Sequence, residues 1–286
     1  MLTRTLPRTR ELRSLSPHGF HRVAYYEWGD PANERVAICV HGLSRNGRDF
    51  DVLGEALSST HRVLSIDMPG RGASQWLRNP SDYVFPTYLT TLTALIARSG
   101  AQTVDWVGTS MGALLGMVMA AQPDTPIARL VINDAGPVIE PAALDRIREY
   151  IGLAPAFATF ADADAYIRRV SAPFGSLTDA QWDHLTRTSL AQRADGTFAL
   201  SYDPGIAEPF RNEAAPPALW PLWDAIACPT LVLRGADSDL LSVDTARGMT
   251  QRGPRARLIE FAGVGHAPTL LDAEQVQPVL DFLRAA

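Results

Sequence analysis

Three short stretches carry residue types that together could perform acyl transfer. The first is Gly108-Thr109-Ser110-Met111-Gly112, a G-x-S-x-G pentapeptide set between the apolar run Val104 to Val107 and an apolar, helix-like stretch from Met111 to Ala121. A serine hydroxyl is a weak nucleophile. It needs a neighbouring base and a place for the negative charge that develops on the substrate. A tight strand-to-helix turn lifts the serine clear of the backbone, and the glycines leave room for that turn. The helix N-terminus then offers N–H groups and the positive end of its dipole. The second stretch is Gly263-Val264-Gly265-His266, directly after the strand-like Arg257 to Phe261. A histidine at the carboxyl edge of a sheet can take the Ser110 proton and return it to a leaving group. The third is His41-Gly42-Leu43-Ser44, after the run Val36 to Val40. Gly42 permits a bent backbone, and the Leu43 N–H can join that of Met111 to hold an oxyanion. His41 itself is read as a structural loop histidine.

Other chemistries find less support. The histidines His18, His21, His61 and His184 stand in no catalytic context, and neither HExxH nor CxxC spacing occurs, so no metal centre is expected. All 26 basic residues are arginine, which excludes a lysine Schiff base. Arg45, Asn46, Arg48 and Asp49 follow the oxyanion loop closely and are read as solvating it and capping the next helix, with contact to a polar substrate group as the lesser reading. The turn Asp67-Met68-Pro69-Gly70-Arg71-Gly72 is read as structural, its glycines allowing positive φ.

These residues need a scaffold that brings distant loops to one edge. Gly19 to Trp28 is strand-like and ends at Gly29-Asp30-Pro31. Val36 to Val40, Arg62 to Ile66, Val104 to Val107, Leu130 to Ile132, Thr230 to Leu233 and Arg257 to Phe261 read as further strands, several apolar throughout as expected of strands buried on both faces. Between them lie helices at Pro86 to Ala97 and from Met111, with Glu274 to Leu283 closing the chain. Pro86 suits a first turn and Gly100 a helix exit. The alternation implies an α/β fold, a mostly parallel sheet with helices on both faces. It breaks between Pro137 and Asp224, where helix-like segments at Ala142–Tyr150, Ala163–Val170 and Asp179–Leu190 stand among Pro and Gly, with Pro216-Pro217 near the exit. The expected organisation is a core of residues 1–136 and 225–286 with a helical cap inserted at 137–224. The cap aromatics Tyr150, Phe157, Phe160, Tyr166, Phe174, Trp182, Trp220 and Trp223 must divide between packing and lining a pocket.

Composition sets the context. A net charge of -5 without a single-sign block argues against nucleic acid as a partner, and no apolar run reaches the roughly 20 residues of a membrane span. The first twenty residues hold Arg4, Arg8, Arg10 and Arg13 but no apolar h-region. Cys39 and Cys228 lie in apolar surroundings, as buried thiols of a reducing compartment do, which points to the cytoplasm.

Taken in order, His41-Gly42-Leu43, Asp67-Met68-Pro69-Gly70-Arg71-Gly72, Gly108-Thr109-Ser110-Met111-Gly112, Leu231-Val232-Leu233-Arg234-Gly235 and Gly265-His266 resemble the α/β-hydrolase superfamily, in particular its capped lactonase, esterase and haloperoxidase-like members. The resemblance runs from Val36 to the C-terminus outside the cap. It implies the α/β-hydrolase fold with an eight-stranded sheet, a helical cap over the site and no cofactor. Its usual position for a triad acid, three residues after Gly235, holds Ser238, flanked by Asp237 and Asp239. Some members take the acid from the end of the strand that follows the nucleophile helix, which here is Asp134. Asp134 is therefore the first choice, Asp239 the second and Asp237 the third.

The reaction expected is hydrolysis of a small carboxylic ester, lactone or thioester through Ser110 and His266. Carbon–carbon bond hydrolysis, cofactor-free oxygenation and perhydrolysis belong to the same scaffold and are alternatives. A ligand-binding receptor that keeps the triad is the alternative of another class. Dehalogenase and epoxide-hydrolase relatives carry Asp where Ser110 stands, which disfavours both.

Overall fold

The computed structural model describes residues 6–210 and 218–285, so Arg4, Pro216 and Pro217 lie outside the described residues. In chain order the elements before Ser110 are β1 (Arg8–Ser16), β2 (Gly19–Trp28), β3 (Val36–Val40), α1 (Asp51–Leu57), β4 (Arg62–Ile66), α2 (Phe85–Ser99) and β5 (Val104–Thr109). Next come α3 (Met111–Ala120), β6 (Ile127–Asn133), α4 (Pro141–Tyr150), β7 (Ala156–Phe157), α5 (Phe160–Val170), α6 (Asp179–Ser189), β8 (Leu190–Gln192) and β9 (Phe198–Leu200). The chain ends with α7 (Trp220–Ala225), β10 (Thr230–Gly235), α8 (Val243–Gln251), β11 (Arg257–Phe261) and α9 (Ala273–Arg284).

Eight strands form one sheet in the order β1-β2-β4-β3-β5-β6-β10-β11. β1, β2 and β4 pair antiparallel, and every pairing from β4 through β3, β5, β6, β10 to β11 is parallel. The two-residue period of the strands sorts their side chains into two cores. Ile38, Leu64, Trp106, Leu130 and Val232 face one side with Leu92 and Leu95 of α2 and Leu115 of α3. Cys39, Val63, Val107, Val131 and Leu233 face the other with Leu53 and Leu57 of α1 and Val279 and Leu283 of α9. This is why the central strands read as unbroken apolar runs. α2 begins with Pro86 in its first turn and ends on Gly100 at φ 74°, a left-handed conformation that favours glycine.

β1 escapes a reading by periodicity. It is an edge strand whose only buried side chains are Leu12, Ser14 and Ser16. Exposed Glu11, Arg13 and Leu15 alternate with them, Arg8 and Arg10 are exposed on the same side as the buried set, and Arg10 bonds Glu27 of β2.

Among the described residues, 137–224 contribute no strand to this sheet. Besides helices they hold a separate antiparallel sheet in the order β7-β9-β8, which an all-helical reading of this stretch did not include. Strands of two or three residues are too short to show a period.

Candidate active site

β5 delivers Ser110 at a sharp bend, with φ 53° and ψ −115°, and α3 starts at the next residue. The flanking glycines are sterically required. A Cβ on Gly108 would lie 2.2 Å from the Gly112 carbonyl oxygen, and one on Gly112 would lie 2.0 Å from that of Val40. Neither contact can be relieved by a side-chain rotation, because both partners are backbone.

The loop after β11 brings His266 to this bend. Its Nε2 is 2.9 Å from Ser110 Oγ, across 156 positions of sequence. Its Nδ1 is 2.7 Å from Oδ2 of Asp134. Asp134 stands at the end of β6 with φ 54° and is fully buried. Besides His266, its carboxylate accepts the Gly235 N–H at 3.0 Å and the Ser238 hydroxyl at 2.6 Å. Three donors hold the carboxylate in one orientation. An ionised acceptor at Nδ1 places the imidazole proton there and leaves the Nε2 lone pair facing the serine hydroxyl.

The other two acid candidates stand elsewhere. Asp239 is bound by Nε and Nη2 of Arg146 at 2.6 and 2.8 Å, and that guanidinium holds its carboxyl below the usual range against the opposing effect of burial. Asp237 is exposed, and its N–H donates to the Val264 carbonyl. The position between them, Ser238, serves the acid of the neighbouring strand instead.

The 41–44 loop lies against Ser110: a Cβ on Gly42 would be 3.5 Å from that of Ser110. Among the described residues the Leu43 and Met111 N–H groups form no hydrogen bond. His41, fully buried, fixes this loop. Its Nε2 accepts the Met68 N–H at 2.9 Å, so Nδ1 carries the proton and donates to the Gly42 carbonyl at 2.6 Å. The Gly42 carbonyl and the Leu43 N–H share one peptide plane, so this bond orients the N–H. Burial, reinforced by the charge of Arg71, pushes the His41 imidazole down to about 3, which keeps it neutral.

Arg71 was read only as part of a turn, and the structure gives it a further task. It is wholly buried, donates to the carbonyls of Leu43 and Pro69 at 2.8 and 2.7 Å and to the Tyr88 hydroxyl at 2.8 Å, and lies over the rings of Tyr83 and Tyr88. The sequence signal was an arginine inside a glycine-flanked turn, a place where a solvated side chain is the ordinary expectation. Asp67 anchors the same turn by accepting the N–H groups of Gly47 and Ala73 and the Tyr26 hydroxyl. Burial raises its carboxyl to about 6.

Arg45, Asn46, Arg48 and Asp49 tie the loop to what covers it. Arg45 pairs with Asp49 and donates to Ser189 Oγ, Asn46 caps the Arg48 N–H and donates to the Thr188 carbonyl, and Arg48 pairs with Asp51. Ser110 and His266 open into a cavity of about 110 Å³. That is below the roughly 300 Å³ at which sites for drug-sized ligands begin. Of the aromatics in 137–224, Tyr150, Tyr166 and Phe174 line the cavity, whereas Phe157, Trp182 and Trp223 are buried in packing. Tyr202, absent from the sequence reading, also lines it. Among the described residues no cluster of His, Cys, Asp and Glu has the arrangement of a metal site.

Comparison with known proteins defines the class. The profile described as "Alpha/beta hydrolase family" matches residues 37–279, and the chain belongs to that family. Its members of known name place it further. It is 45% identical to the 3-hydroxybutyrate-oligomer hydrolase of Cupriavidus necator over 98% of this chain and 99% of that one. It is 25% identical to esterase YbfF of Escherichia coli over 88% and 92% of the two chains. A crystal structure of an alpha/beta hydrolase from Novosphingobium aromaticivorans superposes with a TM-score of 0.88 at 35% identity, covering 98% of each chain. The protein is thus an enzyme, a hydrolase of esterase type.

Proposed function

We propose that this protein is a serine esterase that hydrolyses short oligomers of a 3-hydroxyacid, with Ser110, His266 and Asp134 as its triad. The observation that carries this is the continuous chain of two hydrogen bonds, Ser110 Oγ to His266 Nε2 at 2.9 Å and His266 Nδ1 to Asp134 at 2.7 Å. The 3-hydroxyacid preference rests on the likeness to the Cupriavidus necator hydrolase, and the small cavity agrees with it.

In the first half-reaction Ser110 Oγ attacks the ester carbonyl as His266 Nε2 takes its proton. Buried Asp134 stabilises the imidazolium that results. The carbonyl oxygen becomes an oxyanion between the N–H groups of Leu43 and Met111, each worth about 2.7–4 kcal/mol in the transition state. His266 returns the proton to the departing alcohol oxygen, leaving an acyl ester on Ser110. Water, deprotonated by the same Nε2, then releases the acid. Residues 137–224 act as a cap, closing the cavity over Ser110 and excluding water from the first step. No cofactor takes part. Buried Cys39 and partly buried Cys228, both unpaired, fit a cytoplasmic enzyme.

The test is turnover of the linear 3-hydroxybutyrate dimer by the wild type and by Ser110→Ala, followed by chromatography of the monomer. Wild-type release of monomer, reduced about 10⁶-fold in the variant, supports the reading. Undiminished release by the variant removes Ser110 from the reaction.

A further inference from the structure

The cavity wall carries an imbalance of charge. Its formally charged lining residues are Arg45, Asp49 and Arg146. Arg45 and Asp49 neutralise each other on the wall itself, through Arg45 Nε to Asp49 Oδ2 at 2.9 Å, and the remaining Arg45 Nη1 is used on Ser189. Arg146, on α4, differs. Its counter-charge, Asp239, is not part of the wall, and it engages only Nε and Nη2. The hydroxyl of Tyr150, one turn further along α4, lies beside the guanidinium and interacts with it, and both residues line the cavity. A guanidinium fixed along one edge by a carboxylate, with a phenol beside it whose O–H can donate to a further acceptor, is pre-organised for a second planar anion.

We infer that Arg146 and Tyr150 form a carboxylate-binding site within the cavity, so that the preferred substrates are esters that also carry a free acid group. This rests on the reading of the cavity as an ester-hydrolysing site. A linear hydroxyacid oligomer meets the requirement by its own chemistry, since one end is a carboxylate. Asp239 holds Arg146 from the loop whose Ser238 also bonds Asp134, so the anion site and the proton-transfer chain share one support. Charge recognition then sets which end of an oligomer enters, and esters lacking the acid group forgo it.

Binding is measured apart from turnover in a Ser110→Ala background, by calorimetry with the 3-hydroxybutyrate dimer as free acid and as its methyl ester. The free acid is expected to bind at least tenfold more tightly than the ester. Adding Arg146→Gln should bring the two to within twofold, and Arg146→Lys should retain part of the preference. Asp239→Asn breaks the same ion pair yet keeps the guanidinium, so it should preserve the preference, whereas a residue that merely latched the cap would lose its effect in both variants. Equal affinities in the parent, no measurable binding of either form, an unchanged ratio in Arg146→Gln, or equal losses in Arg146→Gln and Asp239→Asn would each overturn the inference. Tight binding of the acid with no cleavage by the wild type would count against the proposed function and leave the anion site standing.

Discussion

Replacing Asp134 by Asn tests the proton-transfer chain with almost no change of shape. The carboxylate accepts three hydrogen bonds: Oδ1 from the Gly235 N–H, and Oδ2 from Ser238 Oγ and His266 Nδ1. The backbone donor at Gly235 cannot rotate, so the Asn oxygen must face it and the amide NH₂ takes the place of Oδ2. Ser238 Oγ, which already accepts the N–H groups of Leu240 and Leu241, loses its acceptor and turns its hydroxyl elsewhere. His266 cannot adapt so easily: facing a donor, Nδ1 must become the acceptor, which moves the ring proton to Nε2. The imidazole then offers Ser110 an N–H where a lone pair is needed. The expected loss is about 10⁴-fold in kcat, or about 5.5 kcal/mol of transition-state stabilisation. The thermal midpoint should move by only a few degrees, since the side chain stays buried and bonded. Steady-state hydrolysis of a chromogenic ester, with thermal unfolding as the control, reads both quantities. A loss below tenfold in a well-folded Asp134→Asn protein would refute this assignment, as would an equal loss in Asp239→Asn.

Two further substitutions probe the supports of the site. Gly112→Ala places a methyl group 2.0 Å from the Val40 carbonyl oxygen, so a loss of about 3 kcal/mol or failure to fold is expected in urea unfolding, and wild-type stability would refute the requirement for glycine there. His41 titrates in the unfolded chain near 6.5 but is held down to about 3 in the fold, so the unfolded state binds the extra proton. Its contribution is whole above the unfolded value and is lost as pH falls through the window toward the folded value, reaching about 2 kcal/mol at about pH 5. Buried His21 is shifted in the same sense, while Asp67, raised to about 6, acts oppositely by losing stability as pH rises toward that value. His41→Gln should therefore flatten the decline in stability between about pH 6.5 and 5, and an unchanged slope would contradict the buried, neutral state of this ring.

The order of buried strands and helices could be read from the chain because the central strands are apolar on both faces and divide between two cores. The bend at Ser110 was legible for a related reason, since only glycine fits where Gly108 and Gly112 press on backbone. What the sequence left open has physical causes. β6 and β10 are parallel neighbours, with Asn133 opposite Leu233, so carboxylates at the ends of either strand approach the same loop. Spacing alone could not choose among Asp134, Asp237 and Asp239. The structure separates them through partners: Gly235 and Ser238 hold Asp134 toward His266, while Arg146 holds Asp239. β1 was hidden by its exposed arginines, and β7 to β9 by their brevity. The task of Arg71 was hidden because a buried guanidinium is recognisable only from the carbonyls it meets.

The central claim is that a covalent ester forms on one serine. Rapid mixing with a 4-nitrophenyl ester, an acid quench and mass spectrometry of the digested protein tests it most directly. The expected result is a single acyl adduct on the peptide holding Ser110, formed with a burst of nitrophenol and lost in Ser110→Ala. An adduct on any other residue, or full turnover by Ser110→Ala, would contradict it.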